Sequence, residues 1–197
     1  MIRIFFVRHA QSEHPWDYDP TRPLSTEGKQ DAKLVLEFLK DKEIETFYCS
    51  PYKRSIDTIK ETANYFGEEI KICNGLRERE NGAVENNLAM IKKRWEDMNY
   101  HEEAGESISM VQVRNVEVLK EILSMYDKSV KDDINLVIGT HGSALSSILH
   151  YYDDSFDYDA FIRIMDWTPY IISLTFDGQK LVHMEEHLHV AKESRKK

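Results

Sequence analysis

The stretch Ile2–Ala10, IRIFFVRHA, decides how the rest of the chain is read. Ile2, Ile4, Phe5, Phe6 and Val7 are β-branched or aromatic and crowd into one short run, which predicts a buried strand. Polarity then begins abruptly, with a guanidinium at Arg8 and an imidazole at His9. In open α/β sheets ligands bind beyond the carboxyl ends of the strands. The same stretch therefore suggests both a sheet and the place of its site.

Working outward, strand and helix patterns alternate. The proline-rich HPWDYDPTRP, residues 14–23, has no period and predicts a loop. Ser25 suits the N-cap of a helix whose apolar face is Ala32, Val35, Leu36 and Leu39. TFYC predicts a strand running into Ser50-Pro51, where Ser suits an N-cap and Pro the first helical position. Ile56, Ile59, Ala63 and Phe66 form that helix's stripe, and IKIC predicts another strand. Residues 81–106 are polar and without a clear pattern. Ile108, Val111, Val118, Ile122 and Met125 mark a long helix interrupted by Asn115. INLVIGTHGS repeats the opening theme, a buried strand and then a polar turn carrying His141. Leu145, Ile148, Leu149 and Tyr152 form the helix after it, and YIISLTF-DGQ-KLVHM reads as a hairpin turning at Asp177-Gly178. The fold class is α/β: a three-layer α/β/α sandwich around a mostly parallel sheet with an antiparallel edge. One domain is expected over residues 1–190, followed by a charged, disordered tail over 191–197.

Composition narrows the function. The net charge of -9 disfavours nucleic acid and anionic membrane surfaces, although a locally positive site can still take an anionic small molecule. Cys49 and Cys73 are too few for a disulfide framework or structural zinc, which fits a reduced, cytoplasmic protein. The opening apolar run is too short for a signal peptide, and no stretch is expected to span a bilayer.

Three strand ends carry matching polar residues: Arg8-His9, Arg54 in SPYKRSIDT, and His141 in GTHGS. Arg54 falls in the first turn of its helix, where free N–H groups and the macrodipole favour an anion. Arg8 and Arg54 can each grip a phosphate bidentately, and Gly142 lets backbone approach closely. Catalysis of phosphoryl transfer is mostly positioning and charge stabilisation, which such residues supply.

RHAQSE, RPLSTEG, SPYKRSIDT, LRERENG, GES and GTHGS occur in the order found in the histidine phosphatase superfamily, the phosphoglycerate mutase-like proteins, and the chain resembles that family from Arg3 to the terminal hairpin. The resemblance implies a phosphatase acting on a phosphomonoester through a phosphohistidine on His9, with no metal and no cofactor. It implies Arg8, Arg54 and His141 as the phosphate pocket and Glu78 as proton donor. Ser12 either bonds phosphate or caps a turn. Glu80 lies two residues beyond Glu78 and faces the same way on an extended chain, so the residues leave both carboxylates open and the motif favours Glu78. The expected partner is a phosphorylated small molecule; the oligomeric state is open.

Two alternatives stand beside this reading: a phosphoglycerate mutase, and a phosphate-binding module without catalysis. Pro15 stands where the mutases carry asparagine, His14 replaces their tryptophan, and the segment from Glu78 to Ser107 is shorter than their substrate cover, all against a mutase. The complete set of candidate residues stands against a non-catalytic module. HMEEHLH is read as solvated rather than metal-binding. KKRW, Lys92 to Trp95, is a solvated helix face or a receiver for a second anionic group.

Overall fold

The computed structural model describes residues 1–83, 86–126 and 133–193. The first half runs β1 (Ile2–Arg8), α1 (Thr26–Leu39), β2 (Ile44–Cys49), α2 (Lys53–Phe66), β3 (Ile70–Ile72) and α3 (Leu88–Glu96). The second half runs α4 (Ile108–Tyr126), β4 (Ile134–Thr140), α5 (Gly142–Tyr152), α6 (Tyr158–Ile164), β5 (Trp167–Asp177) and β6 (Lys180–Ala191). Short 3-10 turns occur at Asp19–Thr21 and Asn74–Leu76.

The sheet order is β3-β2-β4-β1-β5-β6. β1, β2, β3 and β4 pair in parallel, and β5 runs against β1 and β6. The reversed strand is thus β5, one place inside the rim, and β6 at the edge runs with β1. β1 is buried on both faces, and its side chains alternate. Ile2, Ile4 and Phe6 join a core with Leu119 and Ile122 of α4, Leu145 and Ile148 of α5, and Ile164 of α6. Phe5 and Val7 join Val35 and Leu39 of α1 and Ile59 and Ala63 of α2 on the other face. The result is the expected three-layer sandwich.

Ser25 caps α1, its hydroxyl accepting from the Gly28 N–H at 3.0 Å. A Cβ at Gly28 would lie 2.0 Å from the Gln11 carbonyl oxygen, so glycine is what lets α1 seat against the loop after β1. Three local expectations need correction. α2 begins at Lys53 with Tyr52 as N-cap, not at Ser50-Pro51, because the Ser50 hydroxyl accepts from the Tyr52 N–H and meets His141. On α4 the buried stripe passes through Asn115, Leu119, Ile122 and Leu123, while Met125 is 67% exposed. A 3.6-residue period counted from Ile108 reaches 119 and 126, not 118 and 125. HMEEHLH lies within β6 and is not uniformly solvated: His187 Nε2 meets Ser173 Oγ at 2.8 Å, and His189 stacks on Trp167.

The region without a clear pattern contains α3, whose Ile91 and Trp95 pack on Phe161 of α6. Lys92 and Lys93 are exposed, as a solvated face requires, but Arg94 of the same KKRW is buried against Glu102. The terminal strand reaches Ala191, and Lys192 Nζ bridges Glu27 and Asp31. Chain therefore continues in place beyond residue 190; of the expected tail, residues 194–197 lie outside the described residues.

Candidate active site

The parallel register brings three strand ends to one level. Arg8 pairs with Thr140, and Cys49 with Gly139. Just beyond, the His9 N–H donates to the Thr140 carbonyl at 3.1 Å and the Ser50 N–H to the Gly139 carbonyl at 3.0 Å. Arg8, His9, Ser50 and His141 are thereby gathered, and the first turn of α2 delivers Arg54 beside them. A cleft of about 490 Å³ opens here, lined by Arg8, His9, Ser12, Arg54, Glu78 and Ser143 among others.

His9 is held in a defined tautomer. Arg54 Nε, which can only donate, points at His9 Nε2 at 3.1 Å, so that nitrogen carries the lone pair. His9 Nδ1 carries the proton and donates it to the Ala10 carbonyl at 2.7 Å. Burial, and then the charges of Arg54 and Arg8, push the imidazole well below its usual range. The ring is a neutral base at the floor of the cleft. His141 is fully buried behind it, ring centroids 5.3 Å apart, with Nε2 on Ser50 Oγ at 2.6 Å. Its Nδ1 has no partner among the described residues, and burial and then Arg54 also lower its pKa well below the usual value.

The two arginines are anchored differently. Arg8 donates to the Ile164 and Met165 carbonyls at 2.6 and 2.7 Å, at the C-terminal end of α6, where the helix dipole favours a cation. Burial lowers its pKa to about 10, so it stays charged at neutral pH. Arg54 turns its other two nitrogens to Asp19, to the carbonyl at 2.9 Å and to Oδ2 at 3.0 Å. Asp19 Oδ1 meets Arg22 at 2.8 Å. Lys53, the neighbour of Arg54, points elsewhere and pairs with Asp57.

Glu78 and Glu80 diverge. Glu78 Oε1 accepts from the Arg79 and Ala144 N–H groups at 2.8 and 3.1 Å, and Oε2 from the Ser143 N–H at 3.1 Å. Its carboxyl therefore sits at the N-terminus of α5, where free N–H groups favour an anion. Glu80 is 53% exposed by its side chain and pairs with Arg77 outside the cleft. Ser12 is buried on the cleft wall and bridges Leu24 in backbone pairing. The structure thus gathers Arg8, His9, Ser12, Arg54 and Glu78 at the cleft, with His141 one layer behind, and leaves Glu80 outside.

Sequence reasoning missed several cleft residues. Asp19 gives no signal, because a loop aspartate reads as solvated; Arg79 lies in LRERENG, but an arginine in that charged run reads as solvated too. Arg22 stands in RPLSTEG and could have been assigned from that motif. Arg94 was legible only as part of KKRW. Lys192 reaches the cleft from the end of β6. Among the described residues no group of histidine, cysteine and carboxylate side chains is placed to hold a metal ion, and no helix is long and apolar enough to cross a membrane.

Comparison with known proteins gives the family and the fold. Residues 4–186 match the family model of the histidine phosphatase superfamily, branch 1. A curated Hydrogenobacter thermophilus protein that carries a phosphoserine phosphatase name is 28% identical over 167 residues, 76% of this chain and 77% of that one. Among solved structures, a mycobacterial glucosyl-3-phosphoglycerate phosphatase superposes with a TM-score of 0.73 at 17% identity, covering 96% of this chain and 99% of that one. Bacillus stearothermophilus YhfR gives 0.75 at 19% identity, over 92% and 95%. A phosphoserine phosphatase mutant of Entamoeba histolytica, solved with phosphoserine, gives 0.71 at 19% identity, over 96% of each chain. At these identities the structural likeness shows the fold.

The two neutral histidines make stability depend on pH. Each has a folded pKa below its unfolded value near 6.5, so the unfolded chain binds more protons as pH falls through that value. The contribution of the two histidines is fully present above about pH 7 and should fall below about pH 6, by about 1.4 kcal/mol per pH unit for each. Urea unfolding of wild type and His141→Gln at pH 7.5, 6.0 and 5.5 checks this. The variant should show a slope shallower by about that amount; parallel slopes would mean that His141 is charged in the fold.

Proposed function

The chain belongs to the histidine phosphatase superfamily, branch 1, and is a phosphoric monoester hydrolase, and we propose that it works through a phosphohistidine on His9. The observation that carries this reading is the state of His9: neutral, with Nδ1–H tied to Ala10 and the lone pair of Nε2 at the cleft. A nucleophilic imidazole needs that tautomer.

In the first step Nε2 attacks phosphorus and the bond to the leaving oxygen breaks. Glu78, in its protonated form, gives that oxygen its proton as it departs. In the second step the Glu78 carboxylate takes a proton from water, the water attacks the phosphohistidine, and the P–N bond breaks to release phosphate. Arg8, Arg54, His141 and Ser12 form the phosphate pocket in this reading, the arginines stabilising charge on the equatorial oxygens. Asp19 holds one N–H of each terminal nitrogen of Arg54, which leaves the second N–H of each for the phosphate. The His9–Arg54 contact already places a cation beside the attacking nitrogen.

The partner is a phosphorylated small molecule. A cleft of about 490 Å³ fits one, and the phosphoserine phosphatase name of the 28% identical relative accords with it. Pro15, with no backbone donor, favours hydrolysis over a mutase that must hold a second substrate group. Two free cysteines, one buried, accord with a reducing cytoplasm.

Rapid quench at neutral or alkaline pH with a labelled phosphomonoester tests the mechanism. Wild type should carry label and His9→Ala should not; label that survives in the variant would overturn the nucleophile. Arg54→Ala should cost about 2–5 kcal/mol in kcat/KM, as for a desolvated charged contact losing one partner. Lys53→Ala should cost little, since its side chain is half exposed and pairs with Asp57. Equal losses would remove Arg54 from the pocket. For the proton donor, Glu78→Gln should slow alkyl phosphate hydrolysis by about 10²–10⁴-fold and nitrophenyl phosphate far less, because nitrophenolate departs without a proton. Glu80→Gln should slow both little and equally. The reverse pattern would move the role to Glu80.

A further inference from the structure

We propose that Arg114 is the positioning residue for the proton donor. The inference rests on the assignment of Glu78 above and concerns what holds Glu78 in place. β3 ends at Ile72, so the chain from Asn74 to Asn81 leaves the sheet, and its Gly75, Arg77 and Glu78 carbonyls lie outside any strand ladder. Backbone groups in that state need other partners if they are to stay fixed. Arg114, on α4, supplies them.

The guanidinium of Arg114 uses its full set of donors. Nη1 donates to the Gly75 and Arg77 carbonyls, both at 2.7 Å. Nη2 donates to the Glu78 carbonyl at 3.1 Å and to Glu106 Oε2 at 2.8 Å, and Nε donates to Glu106 Oε1 at 2.9 Å. An arginine has five N–H groups in a rigid fork, and here each has an acceptor. Lysine, with three donors at one point, cannot reproduce this. Glu106, held from one side by Arg114, grips the segment from the other. It accepts from the Glu80 N–H at 3.1 Å and from Arg77 Nη2 at 3.0 Å, and its own N–H donates to the Glu80 carbonyl at 3.0 Å. Burial opposes the charge on Glu106, but the Arg114 hydrogen bonds hold its pKa below the usual carboxylate range, so the clamp stays ionic at neutral pH.

Glu78 is thereby fixed at two points. Its backbone carbonyl belongs to Arg114, and its carboxyl belongs to the N-terminus of α5 through Ser143 and Ala144. A Cβ at Gly75 would lie 2.6 Å from Val118 Cγ2, so glycine lets the segment lie flat enough on α4 for the fork to reach three carbonyls. Neither Arg114 nor Glu106 reaches the reacting atoms. Their effect on rate passes through Glu78.

A leaving-group comparison tests this. Arg114→Lys should lower kcat/KM for an alkyl phosphate by about 10²-fold, the scale of a catalytic group misplaced by an ångström. Nitrophenyl phosphate should be slowed only about twofold, since it has little need of a proton. The double variant Glu78→Gln/Arg114→Lys should be no slower on the alkyl phosphate than Glu78→Gln alone. Equal losses on the two substrates, or losses that multiply in the double variant, would reduce Arg114 to a structural role and overturn the proposal. If Arg114→Lys gives no cooperative thermal transition, Glu106→Gln takes its place with the same readouts, because it weakens the fork while keeping the side chain's shape. A Glu78→Gln variant without leaving-group dependence would remove both the donor assignment and this proposal. Leaving-group dependence in Glu78→Gln together with a flat response in the Arg114 and Glu106 variants would remove the positioning role alone.

Discussion

The pairing of β1 with β4, Arg8 opposite Thr140, is the constraint on which the site depends. Both strands are buried on two faces, so a one-residue slip would send Ile4 and Phe6 to the side now filled by Phe5 and Val7. The hydrophobic alternation that fixes the core thus also fixes the level at which the polar residues emerge. β2 joins at the same height through Cys49 and Gly139, which sets Ser50 beside His141 and starts α2 where Arg54 can reach His9. The site is the place where three strands stop together.

Electrostatics then decides what those residues can do. Two guanidinia beside a buried imidazole would be an unfavourable grouping if the imidazole were charged, and the fold resolves this by keeping His9 neutral. Each arginine in turn has a local acceptor: the end of α6 for Arg8 and Asp19 for Arg54. A similar balance recurs one layer out, where Arg79 and Arg94 meet around Glu102 with all three side chains buried. Buried charges of this kind are retained only when paired and hydrogen-bonded.

Much of this was legible in the sequence because apolar periodicity and strand-end polarity report burial directly. β1, α1, α2 and the strand before His141 follow from those patterns, and so do Arg8, His9, Arg54 and His141. What failed did so for definable reasons. Ser50 has the chemistry of a helix cap, but tertiary contact with His141 claims its hydroxyl, and α2 starts later. Met125 fits an approximate period that the true helix leaves behind over several turns. Glu78 and Glu80 are equivalent on an extended chain; the motif favours Glu78, and in the structure the Glu78 carboxyl meets the N-terminus of α5 while that of Glu80 meets Arg77. Arg79, Arg94 and Glu102 look like solvated charges in a polar stretch, since no local pattern records that they will be buried against one another.

The ion pair between Arg54 and Asp19 changes the meaning of affinity at this site. In the proposed reading an incoming phosphate competes for Arg54's fork with a carboxylate that is tethered to the same chain. Occupancy is then a contest between a dissolved ligand and an internal one whose effective concentration is set by the loop from His14 to Arg22. With the site empty, Asp19 keeps the buried Arg54 guanidinium paired. The contest also makes selectivity relative: an anion is accepted in proportion to how far its geometry surpasses that of a single aspartate. A phosphate dianion, with three non-bridging oxygens, offers more acceptors to that fork than a lone carboxylate.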